Sequence, residues 1–553
     1  MRKSIAIKTI FFILIFTIQL FPETAIPDTF DLRNYQDTTF VTSVKRQQGG
    51  TCWTHGTIAA IEGNLMMTGN WTAEGETGEP NLAEYHLDWW NGFNKFNNDD
   101  ILPDSGGLDV HLGGDYRVST AYLSRGEGAV RDIDGQSYES NPVRDSSSYH
   151  YYYVRNVEWY TIDSALTNID TVKRAIMEHG VLATCYYSGE FYDGNIHYQP
   201  YSSSMDPNHS VAIVGWNDNK ETQADGNGAW LIKNSWGTGA GENGYYWISY
   251  YDKHSGKHPE MGAVSFQDVE KMKYDKIYYH DYHGWRNTKS DVNKAFNAFV
   301  SKNNSSYSEE IKAVSFFNAV DEVDYTIKIY SKFNNYQLSE LLTSQSGHIQ
   351  HTGFHTIDLD STITLSKNDS FFVYLEFDKG GHPYDCTSEV PVLLTPRDEI
   401  VPSEKYFLQS KSNMSNTIVT SSANAGESYY FENESWQYLH DFDSTANFCI
   451  KVLTNFTSIE TQNNFPDEFK LFQNYPNPFN SSTNIAFELN QESKVKLVIY
   501  NIQGKIITTL LNEKLSADNY SINWTPNSIS SGIYIYRLTI NDKSISKKCV
   551  FIK

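Results

Sequence analysis

The sequence predicts a two-lobed α+β unit, followed by an all-β sandwich or jelly-roll-like unit and a small β-sandwich. At 553 residues the chain is too long for one hydrophobic core, since single cores rarely grow beyond about 250 to 300 residues. Helical and strand patterns are mixed up to residue 266, and alternating strand patterns with polar turns follow. The 14% of aromatic residues, including 38 Tyr, is typical of β-rich secreted domains.

Charge and cysteine content exclude several classes of function. The net charge of −23 disfavours nucleic acid as a partner, because no basic cluster could neutralise phosphates. Five cysteines are too few for a disulfide framework, and none lies at zinc-ligand spacing, so no metal is expected in catalysis. The one bridge that the sequence suggests joins Cys386 and Cys449.

Residues 1–25 are predicted to be a secretory signal peptide. Basic residues precede the apolar run Ile10–Phe21, which is too short to cross a bilayer. We expect cleavage near Ala25. The alternative is an N-terminal membrane anchor, because Glu23 and Thr24 make a poor cleavage site.

The stretch QQGGTCWTHGTIAAIEGNL, residues 47–65, places a cysteine at the start of a helix. Two glycines predict a tight turn, Thr51 is a candidate N-cap, and an apolar face follows. The first turn of a helix favours a thiolate over a thiol, so Cys52 is a candidate nucleophile. The alternative is a buried structural cysteine.

Two later stretches favour the nucleophile. His209 leads into an apolar strand in NHSVAIVGW, and Asn234 opens an Asn-Ser-Trp step before a glycine-rich turn. The three stretches, in this order, resemble the papain family of cysteine proteases. The resemblance implies two lobes, residues 26–266, with the active site in the cleft between them.

The same resemblance implies a role for each site residue. Cys52 attacks the scissile carbonyl, and His209 takes the thiol proton and later protonates the leaving amine. Asn234 accepts a hydrogen bond from the other imidazole nitrogen and orients the ring. Trp236 belongs to the substrate site and shields the hydrogen bond between Asn234 and His209 from water.

The sequence leaves two assignments undecided, the oxyanion donor and the glycine pair that binds the substrate backbone. The family places its oxyanion glutamine six residues before the nucleophile, where this chain has Arg46. We expect Gln47 to take that role and keep Gln48 as the alternative. A Gly-Gly pair should pair with the substrate backbone, and Gly113-Gly114 fits better than residues 106–107 because it precedes a helix predicted over 115–125.

Residues 267–453 are predicted to form the accessory β unit. The runs YTIKIY (325–330) and FFVYLEF (371–377) alternate as strands do. The unit resembles the lectin-like domain of clostridial cell-wall cysteine proteases, which implies a carbohydrate or cell-surface ligand. Ca²⁺ in this unit is compatible with the resemblance, although no residue indicates its site. The aromatic stretch YYHDYHGW, 278–285, could stack on sugar or serve as sheet core.

A linker, 454–468, precedes the last unit, 469–553. The segment LFQNYPNPFN is followed by strands expected at 483–489, 495–500, 505–511, 520–524 and 532–540. The unit resembles the C-terminal sorting domain of type IX secretion in Bacteroidota-type Gram-negative bacteria. The resemblance implies a small Ig-like sandwich, the secretion machinery as a partner, and a secreted or surface-attached product. The alternative is a permanent β-sandwich module.

These expectations combine into one function. The sequence predicts a secreted papain-like cysteine endopeptidase that acts on protein or peptide substrates. The alternative is a catalytically weak surface adhesin that uses the papain fold as a binding scaffold.

Overall fold

The structure is a computed structural model and describes residues 25–95, 97–100, 106–302, 307–394, 416–458, 469–489, 491–501, 504–526, 529–540 and 543–553. The predicted signal peptide, up to residue 24, lies outside the described residues. The chain forms two compact units that divide between Ser458 and Ile459. Within the described ranges, no helix is long and apolar enough to cross a membrane.

The larger unit begins with a part that mixes helices and strands. A 3₁₀ turn covers Leu32–Asn34. The helices are α1 (Cys52–Thr68), α2 (Asn70–Ala73), α3 (Glu84–Trp90), α4 (Tyr116–Ser124), α5 (Asp132–Gly135) and α6 (Ile169–His179). The strands are β1 (Thr29–Asp31), β2 (Tyr152–Tyr153), β3 (Asn156–Tyr160), β4 (Leu182–Tyr186), β5 (Tyr192–Asp193), β6 (Ile196–His197), β7 (His209–Asn217), β8 (Ala229–Lys233), β9 (Tyr245–Ser249), β10 (Ala263–Gln267) and β11 (Glu270–Lys271).

Helix α1 starts at Cys52, as predicted, and its first three turns are buried almost all round. The predicted capping bond is absent, because the Thr51 hydroxyl donates to the Gln48 carbonyl at 2.9 Å instead. Gly69 ends the helix with φ +72°, a left-handed conformation that glycine adopts without strain. The predicted helix around residues 115–125 is α4, in which the Asp115 carboxylate caps the Val118 N–H at 2.7 Å.

The rest of the larger unit is almost all β. Its strands are β12 (Lys276–Tyr278), β13 (Asn287–Lys289), β14 (Lys294–Val300), β15 (Tyr307–Asn318), β16 (Val323–Asn334), β17 (Gln337–Ile349), β18 (Gly353–Leu365), β19 (Ser370–Phe377), β20 (His382–Asp385), β21 (Ser388–Pro391), β22 (Asn416–Val419), β23 (Ser428–Glu432), β24 (Ser435–Tyr438), β25 (Asn447–Phe448) and β26 (Ile450–Ser458). A short helix, α7 (Leu439–Phe442), follows β24.

One continuous sheet joins the two parts of the larger unit. Its order is β12-β26-β15-β18-β3-β10-β4-β7-β8-β9-β6-β5, with β1 beside β7. The junction is the antiparallel pair of β18 and β3, in which Phe354 lies opposite Val157. The boundary expected at residue 266 therefore falls inside β10, because that strand pairs with both β3 and β4.

The accessory part is a β-sandwich. A second sheet, ordered β17-β16-β19-β14-β23-β24, shares a hydrophobic core with the strands β15, β18 and β26 of the long sheet. Phe371, Val373, Leu375 and Phe377 of β19 are all buried in this core, which confirms the predicted strand and its inward face.

The linker expected from residue 454 starts later than predicted. Strand β26 continues to Ser458 because Asn455 and Thr457 stay paired with β15. The remainder of the expected linker, 459–468, lies outside the described residues.

The smaller unit consists of two antiparallel sheets around one core. Its strands are β27 (Phe469–Leu471), β28 (Thr483–Leu489), β29 (Ser493–Asn501), β30 (Ile506–Leu515), β31 (Asp518–Trp524), β32 (Gly532–Ile540) and β33 (Lys543–Phe551). The sheets run β27-β28-β31 and β30-β29-β32-β33. Inward residues of both sheets form the core, so the unit is a small β-sandwich with the five predicted strands.

The five cysteines are buried, and the structure contains no disulfide among its described residues. The suggested bridge between Cys386 and Cys449 is therefore wrong. Cys386 packs in the sandwich core, whereas Cys449 packs in the core around α1.

Candidate active site

The first turns of α1 pack against the start of β7. Gly56 lies one turn after Cys52 and faces Ser210, the neighbour of His209. A Cβ added to Gly56 would lie 2.2 Å from the Ser210 Oγ, so no larger residue fits at this crossing. The two chain segments that carry Cys52 and His209, distant in sequence, are thereby brought together.

The ring of His209 is held by Asn234, at the end of β8. Its Nε2 donates to the Asn234 Oδ1 at 2.9 Å, and the Ser235 N–H donates to the same oxygen at 2.8 Å. Because Oδ1 only accepts, the neutral ring carries its proton on Nε2. Its Nδ1 has no hydrogen-bond partner among the described residues and can accept a proton.

Burial determines the charge of His209. The side chain is 0% exposed, and burial lowers its pKa to about 4, although the bond to Asn234 acts in the opposite direction. Trp236 stacks on the ring with centroids 4.6 Å apart and covers it from one side. In this arrangement the imidazole is neutral at neutral pH.

The glutamine turn is tied to the Asn-Ser-Trp loop. Gln47 is buried, its Oε1 accepts from the Ser235 Oγ at 2.6 Å, and its N–H donates to the Ser235 carbonyl at 2.7 Å. The Nε2 of Gln47 donates to the Gly49 carbonyl at 3.0 Å. Gln48 is exposed instead. Of the two candidates, the structure places Gln47 in the interior next to the turn before Cys52.

The two candidate Gly-Gly pairs lie in different places. Gly113 and Gly114 precede α4, and the Gly114 carbonyl accepts a backbone hydrogen bond of 3.0 Å from Leu393. A Cβ added to Gly114 would lie 2.7 Å from the Trp53 ring. Gly107 instead packs on the backbone at Phe93. The pair Gly113-Gly114 therefore lies beside the helix of Cys52, and its backbone already pairs with Leu393.

Sequence reasoning missed a buried ion cluster next to the site. The Lys45 Nζ lies 2.6 Å from both the Glu62 and the Glu84 carboxylates. Burial disfavours the charged amine, but these carboxylates outweigh burial and raise the pKa of Lys45. The cluster joins the segment before Gln47 to α1 and α3. Its members are far apart in sequence, so no local motif could reveal it.

Three side chains that can bind a metal meet where the protease part, through Asp100, contacts the accessory part, through His283 and Asp385. The described residues Asp100, His283 and Asp385 offer ligand atoms within 4.8 Å of one another. Burial raises the pKa of Asp100 to about 6 and that of Asp385 well above its usual value. The Asp385 Oδ1 has no hydrogen-bond partner among the described residues. Both His283 nitrogens already bond, to Ser421 and Gly92, so the two carboxylates fit an oxygen-preferring cation and the imidazole does not.

The aromatic stretch 278–285 faces inward. Tyr278, Tyr282 and Trp285 are at most 8% exposed. Tyr278 packs in the sandwich core and Trp285 in the core around α1. The sheet-core interpretation of this stretch therefore holds, and these rings offer no open face to a sugar.

Comparison with known families agrees with this arrangement. Residues 26–84 and 113–265 match the papain family cysteine protease, residues 277–395 match the lectin like domain, and residues 473–553 match the secretion system C-terminal sorting domain.

Two curated relatives match the first of these regions. Cathepsin J of Mus musculus is 28% identical over 228 residues, which are 40% of this chain and 60% of the relative. Cysteine endopeptidase RepA of Oryza sativa subsp. japonica is 27% identical over 218 residues, 37% of this chain and 48% of the relative. The chain thus spans about half the length of these relatives.

Two solved structures show the same fold over most of the chain. The clostridial cysteine protease Cwp84 after propeptide cleavage has a TM-score of 0.58 at 23% identity and covers 75% of this chain and 97% of its own. The structure of the cysteine protease and lectin-like domains of Cwp84, a surface layer associated protein of Clostridium difficile, has a TM-score of 0.57 at 22% identity. This match covers 75% of this chain and 86% of that structure.

The sorting domain assigns the chain to type IX secretion, to the cell surface or the extracellular space of a Gram-negative bacterium. Each matched region has a hydrophobic core in the structure. The chain therefore contains a papain-family cysteine protease domain within residues 26–265, a lectin-like domain within 277–395 and a secretion-system C-terminal sorting domain within 473–553.

Proposed function

We propose that the protein is a secreted cysteine endopeptidase that cleaves peptide bonds through Cys52, His209 and Asn234. The observation that carries the proposal is the orientation of His209. Its Nε2 is bonded to Asn234 at 2.9 Å, and its Nδ1 has no hydrogen-bond partner among the described residues, at the start of a strand that packs against the helix of Cys52. This is the geometry that a base requires when a third group fixes its tautomer.

In the proposed reaction, His209 takes up and releases one proton during formation of the acyl-enzyme and one during its hydrolysis. The thiol proton of Cys52 passes to the His209 Nδ1, and the thiolate attacks the substrate carbonyl. Gln47 and the Cys52 backbone N–H stabilise the oxyanion, and His209 returns the proton to the leaving amine. Water then attacks the acyl-enzyme and gives a proton to His209, and His209 passes that proton to the departing Cys52 sulfur as the acid is released.

Cys52 is the thiol that suits this chemistry. Burial raises the pKa of Cys185 and Cys449 well above the usual value, and that of Cys386 and Cys549 to about 12. A raised pKa keeps these four thiols protonated at neutral pH, so they should be unreactive.

The test is hydrolysis of casein or a peptide by the full exported chain. We expect hydrolysis to disappear in Cys52→Ala, together with labelling by an epoxysuccinyl inhibitor. Cys185→Ala is the matched control, because it removes another buried thiol of the same domain and should leave turnover intact. Turnover that persists in Cys52→Ala would reject the proposal.

One observation favours the adhesin as a second candidate. Cys52 and His209 are both 0% exposed, so no outside substrate reaches them in this arrangement. Binding of the chain to surface glycans without any turnover would select the adhesin. The match of residues 277–395 to the lectin like domain supports a carbohydrate or cell-surface ligand in either case.

A Ca²⁺ ion at Asp100 and Asp385 is part of the same proposal. The two buried carboxylates repel each other, and a divalent cation between them would remove that cost. We expect Ca²⁺ to raise the unfolding temperature of the wild type but not of Asp385→Asn. Asp291→Asn, at a carboxylate with 62% side-chain exposure, is the control and should keep the shift. An equal shift in all three proteins would exclude this site.

A further inference from the structure

A segment of the accessory part lies in the groove in front of Cys52. We name residues 392–394 the cleft segment. Its central residue, Leu393, donates its backbone N–H to the Gly114 carbonyl at 3.0 Å in an antiparallel bridge. An added strand of this kind is how a groove edge binds an extended peptide.

The side chains of the cleft segment fill space that glycines leave open. A Cβ added to Gly113 would lie 2.3 Å from the Val392 Cγ1, and one added to Gly50 would lie 2.1 Å from the Leu394 Cδ1. Gly50 belongs to the turn before Cys52, so the segment runs along the groove from the Gly113 edge towards the nucleophile. Its backbone pairing and its close fit are those of an extended peptide bound along a groove edge.

The cleft segment covers the reacting atoms. The Cys52 Sγ lies 3.8 Å from the Leu393 carbonyl oxygen. Cys52, His209 and Leu393 are each 0% exposed. An attacked carbonyl must come within about 3 to 3.5 Å of the sulfur, and the cleft segment occupies the space that it would need.

The cleft segment is held in place by the accessory part. It follows β21, which pairs with β22 through Val390 opposite Thr417. Arg286 bonds to the Ser388 Oγ at 3.0 Å and to the Glu389 carbonyl at 3.1 Å. A two-stranded ribbon therefore presents the segment, and the lectin-like domain supplies it to the protease domain.

We propose that residues 392–394 act as a built-in competitive inhibitor, bound in the substrate groove as a peptide substrate binds, and that the groove takes extended peptides with aliphatic side chains at the positions of Leu393 and Leu394. This inference rests on the proposed peptidase function and adds its regulation and its substrate class. The low pKa of His209 agrees with it, because the covering segment keeps the ring dry and neutral.

Because the cleft segment is tethered to the chain, it can keep the groove filled even with a low intrinsic affinity. A segment on a short connection acts at an effective concentration on the order of millimolar, so even modest affinity keeps the groove filled. The activity of the intact chain is then proportional to the fraction of molecules in which the groove is open. Displacing the segment should therefore increase the reactivity of Cys52 and the turnover together.

The first test measures access to Cys52 without requiring catalysis. In the full chain, Leu393→Pro removes the N–H that bonds to Gly114, whereas Ile418→Ala changes a residue of the same ribbon that is 59% exposed. We expect iodoacetamide to alkylate Cys52 about tenfold faster or more in Leu393→Pro and at the wild-type rate in Ile418→Ala. Mass spectrometry assigns the alkylated cysteine, and thermal unfolding verifies the fold.

A second variant covers the case in which Leu393→Pro fails to fold. Leu393→Ala keeps the backbone bond but removes the buried side chain, and should give a smaller increase in alkylation. Equal alkylation in all variants, at the rate of an exposed thiol, would overturn the inhibition and leave the peptidase proposal intact. Faster alkylation without hydrolysis in any variant would support the filled groove and overturn the peptidase function.

The substrate class is tested with a free peptide on the opened variant. The acetylated peptide Val-Pro-Val-Leu-Leu amide, copied from residues 390–394, should compete with a peptide substrate in Leu393→Pro. The same peptide with both leucines replaced by alanine should inhibit at least about tenfold more weakly, because it loses the apolar surface that both leucine side chains bury. Equal inhibition by the two peptides would overturn the proposed preference.

Discussion

Gln47 and Gln48 are neighbours in sequence but lie in opposite environments. Gln47 is buried against Ser235, and Gln48 is exposed. We predict that Gln47→Ala lowers kcat about 10²-fold or more, because an oxyanion donor stabilises the transition state by several kcal/mol. Gln48→Ala should leave kcat within about twofold. Steady-state kinetics on a peptide substrate measures both.

The pair of glutamines provides its own control. Gln47→Ala should also cost about 1 to 3 kcal/mol of stability, because the buried Ser235 hydroxyl loses its acceptor, so kcat is measured at a temperature where both variants are fully folded. A large loss in Gln48→Ala, or equal and small losses in both, would contradict the assignment of Gln47.

Among the secondary-structure elements, the crossing of α1 and β7 determines whether the site assembles. A Cβ at Gly56 would lie 2.2 Å from the Ser210 Oγ, which is itself bonded to Tyr116 at 2.5 Å. We predict that Gly56→Ala lowers kcat/KM about 10²-fold, since a shift of roughly 1 Å separates the reacting groups. Overpacking should also cost about 1 to 3 kcal/mol of stability, measured by chemical denaturation.

A second substitution at the same crossing distinguishes sterics from helix propensity. Ser210→Ala removes the Oγ, and the neighbours that remain are the Tyr116 hydroxyl at 3.1 Å, which must move by a few tenths of an ångström, and the Ser210 Cβ at 3.5 Å, an ordinary contact. The double variant Gly56→Ala/Ser210→Ala should therefore recover most of the lost activity. If the double variant is as impaired as Gly56→Ala alone, the crossing does not control the site.

The protease and lectin-like parts share a sheet and a core, so they should fold together. Strand β3 loses its partner β18 when the chain ends at residue 266, and the core around α1 loses Phe317 and Phe354. We predict that a chain ending at residue 266 gives no cooperative thermal unfolding, because an exposed edge and an open core remain. Circular dichroism during heating measures this.

The matched comparison is a chain that ends at Ser458. It keeps the whole larger unit, and the sorting domain has a core of its own. Its main unfolding transition should match that of the full chain. A chain ending at residue 266 that unfolds at the same temperature would show that the shared sheet does not couple the two parts.

Buried histidines make the molecule sensitive to acid. Burial lowers the pKa of His86, His209, His355 and His382 to about 4, from 6.5. Between these values the unfolded chain binds protons that the folded chain excludes, so stability is complete above about pH 6.5 and falls as the pH drops towards about 4. Each ring should contribute up to about 3 kcal/mol to this loss. Denaturation at about pH 7 and about pH 4.5 measures it.

One buried and one exposed histidine test the assignment. His355→Gln should reduce the acid-induced loss by that ring's share. The carboxylates of Asp324 and Glu322 raise the pKa of the exposed His348, so His348→Gln should not reduce it. An acid sensitivity that is the same in both variants would contradict burial of neutral His355 as a cause.

Local signals in the sequence predicted the elements that carry the site residues, but not the distant segments that pack around them. The helix at Cys52, the strand after His209 and the Asn-Ser-Trp step depend on nearby residues, and the structure has each of them. The cluster of Lys45 with Glu62 and Glu84, and the glycine edge filled by Leu393, join residues that are distant in the chain. No periodicity or motif records such a contact.

By itself, the sequence determined the order of the three domains and the inward face of strand β19. Those features depend on short-range patterning, which is written within a few residues. Only the tertiary structure decided that the lectin-like domain completes the sheet of the protease domain and places residues 392–394 over Cys52. The physical reason is that packing between distant segments depends on the shapes of both surfaces, and a local sequence pattern describes only one of them.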